Sequence, residues 1–218
     1  MDKPDVVLFN RRVEAMNAFT CPIRGDISRA DAVVLNHYAR LSPGAIIECG
    51  CGGSTFILAG STGKGVVTFE NNPDYMQEIT ALVEQHEAEL RSCPRFELID
   101  YQNVAEASQR LRDEVKRMGA TLAFVDGYSR ELCFAALWQA LPVGAIVMIH
   151  DSRMDRGHMA PLMTRAVFPV WDEVRAIRPN YLASNICVVE KGCRVKYENW
   201  NLTETENNRE FTPWSPSS

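Results

Sequence analysis

No apolar run in this chain approaches the roughly 20 residues needed to span a bilayer, so a transmembrane helix is excluded. Dense basic runs are missing too: the formal net charge is -5. The nearest basic segment, Arg110 to Arg117, mixes its cations with Asp113 and Glu114. That pattern belongs to a solvated helix face, and it disfavours a nucleic-acid partner, whose phosphates need clustered Lys and Arg. The opening Met1-Asp2-Lys3-Pro4-Asp5 carries no basic region, apolar region or small-residue cleavage site, so the expected location is cytoplasmic. Paired cysteine spacing is likewise absent. Cys21, Cys49, Cys51, Cys93, Cys133, Cys187 and Cys193 are odd in number and scattered, which reads as reduced thiols rather than a disulfide framework. Cys49 and Cys51 have no second Cys or His pair at zinc spacing and suit a tight turn as small side chains. No internal repeat or low-complexity tract occurs.

What remains is 218 residues, 46% hydrophobic and 23% charged, enough for one substantial core. Five short apolar runs recur at intervals: Ala45–Cys49, Val66–Glu70, Phe96–Ile99, Thr121–Val125 and Ala145–Ile149. Runs this short and rich in Ile and Val fit parallel strands covered on both faces. Helical stripes separate them. Ser28 can cap a helix carrying Ala32, Val33, Leu35 and Tyr38, closed by Pro43-Gly44. Pro73 suits the first turn of a helix with Tyr75, Met76, Ile79, Leu82, Val83 and Leu90 on one face. Leu111, Val115 and Met118 form the next stripe, ended by Gly119. Leu132, Ala135, Ala136 and Leu137 form another, ended by Pro142 and Gly144. Beyond a polar loop at 151–157 and a short helix at about 161–168, the runs Glu173–Ile177 and Ile186–Glu190 lack room for a crossover helix. They should pair antiparallel. The expected fold is α/β, a doubly wound Rossmann-like sheet of five parallel strands plus a C-terminal antiparallel pair. It would occupy residues 28–198, with a cap segment at 1–27 and a polar tail at 199–218.

Such sheets bind ligands at the carboxyl ends of their strands. There, Gly50-Cys51-Gly52-Gly53 follows the first strand directly and precedes the helical run Thr55–Ala59. Glycines in that place bring backbone N–H groups against a ligand without Cβ interference. The second strand ends in Glu70, 18 residues past Gly52, where a carboxylate can accept both ribose hydroxyls of a nucleoside. A nicotinamide fingerprint wants a third glycine three residues after Gly52, and Thr55 stands there. Glu48 is also charged where a dinucleotide strand is usually apolar. Both disfavour an NAD(P)-dependent oxidoreductase. An acid at 48 suits a cationic amino group instead.

Together, Ile46-Ile47-Glu48-Cys49-Gly50-Cys51-Gly52-Gly53-Ser54 is similar to the first motif of the class I S-adenosylmethionine-dependent methyltransferases. Val67-Thr68-Phe69-Glu70 resembles their second motif. Phe124-Val125-Asp126-Gly127 and the run Gly144 to Asp151 resemble their fourth and fifth strands. The resemblance spans about residues 28 to 192 and implies the seven-stranded methyltransferase architecture. It implies that Glu48, Gly50, Cys51 and Gly52 surround the methionine part of S-adenosylmethionine, with Ser54 and Thr55 near its carboxylate. Glu70 would take the ribose and Asn71 would lie beside the adenine. Asp100 and Tyr101 would border the adenine's other edge, with Asp126 at the fourth strand's tip.

Methyl transfer is an in-line displacement, so the protein aligns the acceptor and, where needed, removes its proton. Asp126, His150 and Asp151 are the ionisable residues at the tips of strands four and five. A histidine of ordinary pKa, about 6.5, would serve as base at neutral pH. A second mechanism follows from the small-molecule O-methyltransferases resembling the catechol enzyme. Those place an acid after strand four and an Asp-Asn pair after strand five around a divalent cation. Here Asp126 matches, but His150-Asp151 stands where the pair would be, and Mg²⁺ prefers oxygen ligands. The expected reaction is methyl transfer to a small-molecule acceptor, at oxygen, with Tyr128, Arg130 and the loop 152–158 near the acceptor. A non-catalytic S-adenosylmethionine-binding domain stays open, as does a homodimer.

Overall fold

A computed structural model describes residues 27–151, 168–178 and 184–192. The cap segment, the polar tail and the loop and short helix expected between 151 and 168 lie outside these residues, except at their edges. Helix α1 runs Arg29–Leu41, strand β1 Ala45–Cys49, α2 Gly53–Ser61 and β2 Val66–Glu70. Then follow α3 Pro73–Gln85, β3 Arg95–Leu98, α4 Val104–Met118 and β4 Ala120–Val125. The described chain ends with α5 Arg130–Ala140, β5 Ile146–Ile149, β6 Val174–Arg178 and β7 Cys187–Lys191. No helix among the described residues is long and apolar enough to cross a membrane.

The seven strands form one sheet in the order β3-β2-β1-β4-β5-β7-β6. Strands β1 to β5 are parallel, while β7 runs antiparallel to β5 and to β6. The strand direction of chain progress reverses between β1 and β4, which makes their tips the switch point where such sheets take ligands.

Side-chain alternation explains the two layers. Residues 47, 49, 67, 69, 123, 125, 147 and 149 meet the apolar faces of α4 and α5. Ile46, Val66, Leu122, Phe124 and Met148 meet α1 and α2 on the other side. Each strand buries both faces, so its apolar run is continuous rather than alternating.

The helix signals act as expected at their ends. The Ser28 side chain accepts from the Asp31 N–H, and the Asp31 carboxylate accepts back from the Ser28 N–H, a capping box at the start of α1. Pro73 opens α3 behind an Asn72 cap, and Gly119 ends α4 in a left-handed conformation. Two stripes need correcting. Ala135 is exposed, because α5 turns Cys133, Phe134, Ala136, Leu137 and Trp138 inward. Tyr75 is exposed on α3, and Leu90 lies past that helix's end. Trp138 is a core residue, stacked on Phe134, its indole N–H donating to Glu173.

Candidate active site

The glycine turn sits at the carboxyl end of β1. Gly50 has φ +94, and a Cβ there would lie 2.6 Å from the Gly127 Cα and N. Gly127 faces it from the β4 tip, where the Asp126 and Gly127 N–H groups both donate to the Cys49 carbonyl at 2.9 and 2.7 Å. Two glycine backbones thus make contact at the switch point, and no side chain fits between them. This is the physical demand behind the glycine at position 50.

Glu70, at the β2 tip, is buried, and three main-chain N–H groups hold its carboxylate. Its Oε2 accepts from the Cys51 N–H at 3.1 Å, and its Oε1 from the Asn71 and Asn72 N–H groups at 2.9 and 2.8 Å. The acid therefore ties the glycine turn to the loop after β2. Asn71 and Asp100 are exposed beside it, and Asp100 accepts from the Gln102 N–H.

Glu48 points to the α1–α2 side of the sheet, opposite Thr68 in register. It has no solvent exposure. Its Oε2 accepts from the Thr55 and Thr68 hydroxyls at 2.6 and 2.7 Å, and its Oε1 has no hydrogen-bond partner. Burial outweighs these hydrogen bonds, and with Asp126 nearby the carboxyl is pushed up to about 7. Thr55 also accepts from the Gly52 N–H, so its hydroxyl is engaged inward and braces the turn. Ser54 is buried beside it.

Tyr101 is buried at 5% exposure in the cluster under α4 and α5. Its hydroxyl lies against the Cys49 and Cys133 thiols, and burial pushes its pKa far up. The strand before it ends at Leu98, and Ile99 and Tyr101 then turn toward the same core. A residue the stripe reading placed in the core lies near the turn instead: the Tyr75 hydroxyl stands 3.2 Å from where a Cβ on Gly52 would be.

The tips of β4 and β5 hold a charged cluster. His150 is 1% exposed and shares the α1 side of the sheet with Met148. Its Nδ1 lies 2.9 Å from Asp126 Oδ1, and its Nε2 3.5 Å from Asp31 Oδ2. Asp151 Oδ1 is 3.8 Å from Nδ1. Burial alone would lower the imidazole pKa, but the hydrogen bond to Asp126 and the nearby carboxylates of Asp31 and Asp151 raise it to about 10. A raised pKa favours the protonated imidazolium, which weighs against His150 as the base. Asp31 was missed by sequence reasoning. It is fully buried in the first turn of α1, and it accepts from both the N–H and hydroxyl of Ser28 and from the Asn185 N–H at 2.6 Å. Despite burial, the His150 and Ser28 side chains hold its pKa below the ordinary value. The Ser28-x-x-Asp31 spacing signalled a cap but nothing of His150.

Arg130 completes the cluster. Its Nη2 donates to Asp126 Oδ1 at 2.9 Å and to Asp151 Oδ2 at 3.1 Å. Its neighbours Ser129, at φ 61, and Asp151, at φ 53, are the non-glycine residues with positive φ among those described. Backbone strain of this kind gathers at functional sites. Tyr128 is exposed close by, its ring centroid 6.5 Å from that of Tyr101.

Asp126, His150 and Asp151 each bring one donor atom within 4.8 Å of the others, a spacing a divalent cation could use. The set does not fit one as it stands. The Arg130 guanidinium bridges the two carboxylates, and His150 already engages the Asp126 oxygen that Arg130 uses. The nucleoside half fits better: the buried Glu48 Oε1 has no hydrogen-bond partner, and the ammonium group of a ligand would satisfy it.

No protein-family model matches the sequence, and no curated protein does. Solved structures do. A methyltransferase-like protein from Silicibacter pomeroyi is 13% identical with a TM-score of 0.60, over 81% of this chain and 93% of that one. The SAH-bound Podospora anserina methyltransferase PaMTH1 is 15% identical with a TM-score of 0.56, over 87% and 88%. The MycE methyltransferase of the mycinamycin biosynthetic pathway, in complex with Mg and SAH, is 14% identical with a TM-score of 0.52, over 98% of this chain and 61% of that one. The chain has the fold of the class I S-adenosylmethionine-dependent methyltransferases.

Proposed function

We propose that this chain transfers a methyl group from S-adenosylmethionine to an oxygen of a small-molecule acceptor. The observation that carries the reading is the carboxylate of Glu70, fixed by three backbone N–H groups beside the Gly50 turn at the sheet's switch point. An acid held so rigidly presents its remaining lone-pair site to a ribose hydroxyl, with little entropy left to lose on binding. Glu48 offers its free Oε1 to the ammonium of an amino-acid arm, and Asn71 and Asp100 flank the base. S-adenosylmethionine supplies the electrophilic methyl.

The acceptor's proton then falls to a carboxylate. His150 carries its own proton and acts by fixing Asp126 and neutralising part of its charge. Asp126 and Asp151 are half-buried at the same tips and are the residues able to accept a proton there. The net charge of -5 and the lack of a dense basic run support a small acceptor over a nucleic acid.

Calorimetric titration with S-adenosylmethionine, its demethylated product and NAD tests the cofactor. Binding of both sulfur nucleosides at micromolar levels is expected. Tight binding of NAD with no response to either would overturn the reading. A screen of labelled cofactor against catechols, sugars and amines then tests the acceptor, with label expected on a hydroxyl.

A further inference from the structure

The cluster at the tips of β4 and β5 carries a feature that neither methyl transfer nor the fold requires. Two carboxylates from different loops, Asp126 and Asp151, converge on one nitrogen of Arg130. Placing them so requires a left-handed backbone at Asp151 itself and at Ser129, the residue that launches Arg130 into α5. Left-handed conformations are costly for an L-residue. The chain accepts that cost twice around one guanidinium.

We propose that Arg130 is a built-in cation that takes the place of a divalent ion between Asp126 and Asp151, and that it holds the acceptor's oxygen in the metal's stead. The chemistry fits. A guanidinium is charged at all working pH and bridges two carboxylates through directed N–H groups. A magnesium ion would instead demand near-octahedral oxygen at about 2.0 to 2.1 Å and retain water. Both cannot occupy the space between the same two oxygens. Arg130 Nε is also buried with no hydrogen-bond partner. A buried donor left open in this way is a group that an acceptor oxygen, such as a phenolate, carboxylate or hydroxyl, would satisfy. The holding of the acceptor rests on the methyl-transfer reading; the exclusion of metal does not.

The test is a gain of metal binding by the full-length protein, read without turnover. Free Mn²⁺ is followed by its electron paramagnetic resonance signal during titration of the wild type, Arg130→Ala, Arg130→Gln and the double variant Arg130→Ala/Asp126→Asn. Circular dichroism checks that each is folded, and calorimetry with the demethylated cofactor reports the nucleoside half separately. The wild type should leave the Mn²⁺ signal unchanged. Arg130→Ala or Arg130→Gln should bind one equivalent at least tenfold more tightly, and the double variant should lose it. Stoichiometric Mn²⁺ binding by the wild type would overturn the proposal. So would folded Arg130 variants that bind no more Mn²⁺ than the wild type. Failure of the nucleoside to bind, with the gain of Mn²⁺ intact, would instead sink the methyl-transfer reading and leave the cation exchange standing.

Discussion

The carboxylates at the tips of β1 and β2 are held by neutral donors, whereas those at the tips of β4 and β5 are held by cations. Glu70 accepts from backbone N–H groups and Glu48 from threonine hydroxyls. Asp126 and Asp151 accept from Arg130, and His150 sits between Asp126 and Asp31. The consequence is electrostatic. Burial pushes the Glu48 carboxyl up to about 7 because its neutral donors do not offset it, while the His150 and Ser28 side chains hold Asp31 below its ordinary value. One half of the site keeps negative charge for a cationic ligand. The other has already supplied its own cations.

The comparison breaks most visibly at Glu70. Glu70→Ala removes the acceptor for a ribose hydroxyl and the anchor of three backbone N–H groups in the turn, and hydrogen bonds to a charged group are worth about 1.5 to 3 kcal/mol each. Affinity for S-adenosylmethionine should fall roughly 100-fold or more, measured by calorimetry, with Glu70→Gln intermediate because its amide oxygen still accepts. A change of less than about threefold would show that the nucleoside lies elsewhere.

In the cationic half, Asp31→Asn should cost about 3 kcal/mol of stability, since it leaves His150 buried with one counter-charge fewer. Urea unfolding monitored by circular dichroism reads this directly. A loss under about 0.5 kcal/mol would mean that Asp126 alone balances the imidazolium.

Glu48 distinguishes the halves through pH. The native state holds the Glu48 proton more tightly than the unfolded chain, about 7 against an ordinary 4.5. Its contribution to stability is therefore whole below 4.5 and is lost as pH rises through 7. Between those limits the wild type should lose on the order of 3 kcal/mol relative to Glu48→Gln, which has nothing to titrate. An ammonium ligand should reverse the effect by expelling the proton, so affinity for S-adenosylmethionine should rise from pH 6 to 8 in the wild type only. Parallel stability curves for the two proteins would remove Glu48 from the account.

How much of this was legible in the sequence depends on the distance over which each signal acts. The runs Ala45–Cys49 and Val66–Glu70 are strands residue for residue, because burial on both faces leaves an unbroken apolar string. The Gly50 turn and Glu70 were legible too, since turn and strand end are local in the chain. The cation pairing was not. Asp31 meets the segment before β7 across 154 residues, and no spacing rule reaches that far. Its side chain did carry a local signal, the capping box with Ser28, and that signal hid the second role. The burial of Tyr101 was hidden for a related reason. Its partners Cys49 and Cys133 come from β1 and α5, so its inward turn is decided by packing rather than by its neighbours in sequence.

The smallest expected effect separates those two roles of Asp31. Ser28→Ala deletes the hydroxyl that caps α1 and donates to Asp31, but leaves the carboxylate beside His150. Loss of a serine cap costs about 1 kcal/mol. If Asp31 serves the cluster chiefly as a counter-charge, Ser28→Ala should lower the urea midpoint by about a third of the Asp31→Asn effect. Its cost should also persist in an Asp126→Asn background, because the cap does not pass through His150. A Ser28→Ala cost equal to that of Asp31→Asn would mean that the helix cap, and not the buried imidazolium, is what Asp31 is there to satisfy.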